Sequence, residues 1–232
     1  EYTDKKIDVD SGRSAIQCIL EMKQFNRIWL PVYNCPLVFK RIFTVSDIEI
    51  NWYNLNSDFT PHVSEDELRQ GDVLLWVNYC GVMFDYIIDE VIRLKEKTAI
   101  EVIIDNIPAY FSKPRMDVIN IYSCRKFLGV PDGGHIIGNS IKTKELPCYS
   151  TFENYLYLLQ ALESGSNSVY EKYQENEKRF INANIAYGMP VLTNKVLKSL
   201  DYGEIITSRK RNFDILHLSL IHISEPTRLR CI

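Results

Sequence analysis

Three short stretches carry residue types that handle anions, protons and carbonyl groups. SGRSAI, Ser11–Ile16, sets Gly12, Arg13 and Ser14 at the start of an apolar-periodic run. A glycine lets the backbone approach a ligand closely, and the free amides of a helix N-terminus suit a phosphate. The same residues would serve equally as an ordinary helix cap. Asp105 ends the apolar run AIEVIID. A carboxylate at the end of a buried strand needs a partner, because an unpaired buried charge is costly. A protonated ring nitrogen, a metal, a helix cap or an arginine would each supply one. SCRK, Ser123–Lys126, follows the strand-like DVINIYS and precedes the pair Gly133–Gly134. A lysine desolvated there beside Arg125 would have its amine pKa lowered, which prepares it to condense with a carbonyl. A plain surface lysine is the alternative.

The elements that must position these residues alternate. RIWLPVY, IEINWYNL, DVLLWVNY, AIEVIID, DVINIYS and HIIG read as strands, several too apolar to have one wet face. SAIQCILEMKQF and FDYIIDEVIRLKEKT lie between them with helical spacing, the second placing Ile87, Ile88, Val91 and Ile92 on one face. Strands alternating with helices predict an α/β fold, three layers deep, with a mixed, mostly parallel sheet. From about Thr151 the chain is helix-rich and more polar, with no further strand signal. Chemistry-bearing residues at strand ends and helix starts match where such folds build ligand sites.

Bulk properties narrow the classes. The 232 residues are 46% hydrophobic and 25% charged, which fits a globular chain with one sizeable core. A formal charge of −3 with interspersed signs gives no reason to expect a nucleic-acid or membrane partner. SRKR, Ser208–Arg211, reads as a solvated helix face. The six cysteines show no metal-ligand spacing and read as reduced, mostly buried thiols of a cytoplasmic protein, with no metal site. No apolar run approaches a membrane span, and the chain opens on Glu1 rather than Met, so its N-terminus is taken as incomplete.

Taken in chain order, phosphate loop, aspartate, serine, lysine and glycine pair together resemble the pyridoxal-phosphate enzymes of fold type I. More narrowly they resemble the DegT/DnrJ/EryC1/StrS sugar aminotransferases, well over Ser11–Gly138 and loosely to Leu218. The resemblance implies that SGRSAI is the phosphate loop, with Gly12, Arg13 and Ser14 at the cofactor phosphate. DNIPA makes Asp105 the partner of the pyridinium nitrogen, and SCRK puts Ser123 at the phosphate and Lys126 at the cofactor's aldehyde. LPVYNC matches the segment that supplies a stacking aromatic, and VNYCGV a strand end that usually reads His-x-x-Gly. RKRNF, Arg209–Phe213, resembles the basic start of the family's small domain.

Three departures stand out. Pro108 replaces a glutamine of the aspartate motif, Cys35 falls where the aromatic belongs with Tyr33 nearby, and no partner-subunit loop is recognisable in CYSTFENYLY. A lysine where the family's dehydratases carry histidine favours transamination. The implied activity moves an amino group, with glutamate as donor, onto a nucleotide-linked keto-sugar in cell-surface polysaccharide biosynthesis, by a cytoplasmic homodimer. The alternative is a non-catalytic relative that binds or regulates. LSLIHISEPTR resembles the translated read-through of a sequencing adapter, a native extension being the other reading. The expected organisation is a cofactor-binding large domain over 1–205, the start of a truncated small domain over 206–218 and a non-native tail over 219–232. Such a fragment is expected to fold but to be catalytically inactive.

Overall fold

The structure, a computed structural model, describes residues 3–81, 83 and 85–220. They fall into two units, one ending at Lys195 and the other beginning at Val196. Residues 221–232, most of the tail read as non-native, lie outside the described residues.

The first unit is built on eight strands: β1 Lys6–Val9, β2 Arg27–Pro31, β3 Glu49–Leu55, β4 Pro61–His62, β5 Val73–Val77, β6 Glu101–Asp105, β7 Ile119–Ser123 and β8 Gly134–Ile137. Their order in the sheet is β1-β8-β7-β6-β5-β2-β3-β4. The five central strands, β7 through β3 in that order, pair in parallel. Antiparallel β8 and β1 close one side and the short β4 the other.

The helices are α1 Gly12–Met22, α2 Pro36–Val45, α3 Asp85–Thr98, α4 Phe152–Ser164, α5 Tyr170–Asn182, α6 Val191–Ser199 and α7 Tyr202–Ser219. Along β5, Val73, Leu75 and Val77 pack in one core with Ile16 and Ile19 of α1 and Ile42 of α2. Leu74 and Trp76 turn into a second core with Ile87, Val91 and Ile92 of α3. Strand side chains alternate between faces, so α1 with α2 and α3 cover opposite sides of the sheet. This is the expected three-layer α/β/α arrangement with a mixed, mostly parallel sheet.

In the second unit α7 is capped by Asp201, whose carboxylate accepts from Glu204 N at 3.0 Å. It buries no residue, and its SRKR stretch is exposed. The cysteine expectation is corrected in part. Cys18 and Cys124 are buried, but Cys35, Cys80 and Cys148 are exposed, because those three sit on loops and turns outside both cores.

Candidate functional site

The parallel strands end together, and their C-terminal edge carries the candidate residues. Val77 of β5 stands opposite Asp105 of β6, which stands opposite Ile121 of β7. At this edge a cavity of about 390 Å³ opens, with Gly12, Arg13, Asp105, Ser123 and Lys126 in its wall. Residues scattered over more than a hundred positions thus meet in one place, at the edge where parallel sheets place ligands.

Each arrives by its own local cause. Ser11 caps α1, its Oγ accepting from Ser14 N at 3.2 Å, and Ala15 N donates to Ser11 O at 3.0 Å. The amides of Gly12 and Arg13, first in the helix, keep no partner within it. A Cβ on Gly12 would run into the end of the Ile107 side chain, which would have to turn aside, so glycine leaves DNIPA room to lie against the loop. Ser123 ends β7 and leads into a single helical turn, Cys124–Lys126, without making a capping hydrogen bond. The glycine pair holds that turn in place. Gly133 has φ +102°, a left-handed conformation, and a Cβ on Gly134 would stand 2.5 Å from Tyr122 O.

Asp105 is 4% exposed, and its Oδ1 accepts from Ile107 N at 2.8 Å. Burial pushes its carboxyl up to about 6, against that amide and the Lys126 charge. The group is therefore short of positive charge, the condition in which a cationic ring nitrogen would bind it most strongly.

Three expectations change. Lys126 is exposed at the cavity rather than buried between strand and glycines, because the turn carrying it projects past the end of the sheet. Arg125, expected beside its amine, turns instead to Glu177 of α5. Ser14 is not in the cavity wall. Its Oγ stands 3.4 Å from Ser11 Oγ and accepts from Tyr187 N at 3.4 Å, tying α1 to a later loop.

Sequence reading passed over Tyr79 and Glu177. Tyr79, in the turn after β5, lines the cavity with Tyr33; their rings stack with centroids 5.6 Å apart, and Tyr79 Oη donates to Tyr33 O at 2.7 Å. Burial, then the nearby Asp105 and Tyr33, push the Tyr79 hydroxyl above its ordinary value, so it stays a neutral donor. An aromatic just past a buried strand was the available signal. Glu177 had none, since its partners are far from it in sequence. Among the described residues no cluster of His, Cys, Asp and Glu could hold a metal.

No protein-family model matches the chain, and no curated protein matches it. Solved structures similar to it include substrate-bound BacF from Bacillus subtilis, at 13% identity and TM-score 0.49 over 59% of this chain and 41% of that one. A probable N-succinyldiaminopimelate aminotransferase from Thermus thermophilus matches at 19% identity and TM-score 0.48, over 58% and 43%. A DegT DnrJ EryC1 StrS aminotransferase from Brucella abortus matches at 15% and 0.47, over 68% and 44%. The matched part of this chain spans less than half the length of each.

Proposed function

We propose that this chain is the cofactor-holding part of a pyridoxal-phosphate-dependent aminotransferase of fold type I, acting as a homodimer on a nucleotide-linked keto-sugar with glutamate as amino donor. One observation carries the reading: Gly12, Arg13, Asp105, Ser123 and Lys126 converge on one cavity at the C-terminal edge of the parallel strands.

The residues present suit the cofactor. The free amides of Gly12 and Arg13 and the Arg13 guanidinium offer an anion site, with the Ser123 hydroxyl in the same wall. Asp105, buried without a paired cation, awaits a protonated nitrogen. When bound, pyridoxal phosphate supplies an electron sink for the carbon that loses its proton. Asp105 would face the ring nitrogen and keep it protonated. Lys126, exposed in the same wall, would be the amine to which the cofactor's aldehyde attaches and would carry the proton once released from it. Tyr33 and Tyr79 offer the aromatic surface that Cys35 does not. Pro108 brings no side-chain hydrogen bond, so Asp105 and the anion site would be left to hold the ring in place.

The test is a titration of this chain with pyridoxal phosphate, followed by absorption and calorimetry. The reading predicts saturable one-to-one binding with a shifted absorption band, weakened both in Asp105→Ala and in Arg13→Gln. Binding that ignores both substitutions overturns it.

A further inference from the structure

Behind the cavity wall one carboxylate holds both arginines of the site. Glu177 receives Arg125 through a fork, Nη1 to Oε1 and Nη2 to Oε2, the second at 3.1 Å. Its Oε2 also lies 3.6 Å from Arg13 Nη2. Arg13, Arg125 and Glu177 are 12%, 13% and 15% exposed, so water and salt screen the network only in part.

The two halves are unequal. Arg125 makes the two-pronged pair that is a guanidinium's strongest geometry, and its Cζ lies 5.1 Å from the centre of the Phe180 ring. Arg13 stands beyond hydrogen-bond length from the same carboxylate. It also sits at the first turn of α1, beside the unpartnered amides. One arginine is locked and the other is lent.

We infer that Glu177 is the resident counter-ion of the anion site: it engages Arg13 while the site is empty and yields Arg13, but not Arg125, to an incoming dianion. The inference rests on the phosphate reading above. A phosphate and the Glu177 carboxylate compete for the donors of one guanidinium, so the carboxylate lowers affinity for phosphate-bearing ligands and leaves uncharged ones alone. A Glu177 that only propped the wall would act in the opposite direction, since removing it would loosen Arg125 and weaken binding.

Calorimetry on the whole chain separates these, with pyridoxal phosphate, inorganic phosphate and phosphate-free pyridoxal as probes. Glu177→Gln should bind the two phosphate-bearing probes roughly three- to tenfold more tightly, the size of one partly screened ion pair released, with pyridoxal unchanged. In an Arg13→Gln background the gain should vanish. Unchanged or weaker phosphate binding overturns the inference. So does a gain that persists without Arg13, which would assign it to the general field. If Glu177→Gln fails to fold, Glu177→Asp, which keeps a carboxylate but draws it back by one methylene from the 3.6 Å contact with Arg13, should still show a gain in phosphate binding; no gain overturns the inference. If the unsubstituted chain binds phosphate but not pyridoxal phosphate, the cofactor reading fails and this one stands or falls on the phosphate data. If it binds neither, both fail.

Discussion

Replacing Asp105 with asparagine should stabilise the empty protein and weaken its grip on the cofactor, two effects of opposite sign from one atom change. The carboxyl is 4% exposed and raised from 3.8 to about 6, chiefly by burial. An acid whose pKa is raised on folding favours the folded state while protonated. That contribution is complete below about pH 4 and is lost as pH climbs through about 6. Above pH 7 or so the ionised, buried group costs roughly 3 kcal/mol, at 1.36 kcal/mol per pKa unit. Asparagine carries no charge and keeps an oxygen for the Ile107 amide, 2.8 Å away in the parent. Urea unfolding at about pH 8 should therefore show Asp105→Asn more stable by roughly 1–3 kcal/mol, with the difference closing near pH 4. Pyridoxal phosphate affinity should fall roughly ten- to hundredfold, the loss of one charge-assisted hydrogen bond. A variant that is less stable at pH 8 and binds cofactor as before would refute the reasoning, because the carboxylate would then be serving the fold.

Two further outcomes follow from the same geometry. Maleimide should label Cys35, Cys80 and Cys148 in the folded chain but reach buried Cys18 and Cys124 only on unfolding; pyridoxal phosphate should protect Cys35 and Cys80, which line the cavity, and leave Cys148 reactive, as mass spectrometry of the labelled peptides would show. Gly134→Ala would push a Cβ to 2.5 Å from the Tyr122 carbonyl, and it should lower stability by about 1–3 kcal/mol in urea unfolding while also reducing cofactor affinity, since the strand it distorts holds the Ser123–Lys126 turn; unchanged stability would contradict the packing described.

The parallel core of the fold was legible in the sequence because buried parallel strands are apolar on both faces. VLLWV and EVIID have no competing pattern, and α1 and α3 carry clear apolar faces. The edges were not. β1 is four residues of alternating charge and apolarity, KIDV, and β4 only two, too short for periodicity to register. α2 hides behind β-branched and aromatic residues in PLVFKRIFTV and contains a buried Arg41, which donates to Gln17 Oε1 and to the carbonyls of Ala183 and Ile185. Of the site, the loop, the aspartate, the serine and the lysine stood out by their places at strand ends and helix starts, and the family resemblance suggested their roles. Neither could show that Ser14 turns toward Tyr187, that Lys126 is exposed, or that Glu177 reaches back from α5 to two arginines, because each depends on contacts between distant segments.

On the function proposed above, Lys126 is the amine that carries the cofactor. Borohydride reduction of the chain mixed with pyridoxal phosphate, followed by peptide mass spectrometry, tests it most directly. One dominant modified peptide is expected, bearing the cofactor's mass on Lys126. Lys126→Ala should lose that label while still binding pyridoxal phosphate through Asp105 and the α1 amides. A label on Lys113 or Lys142 instead, or spread evenly over surface lysines, would rule out Lys126 as the attachment point.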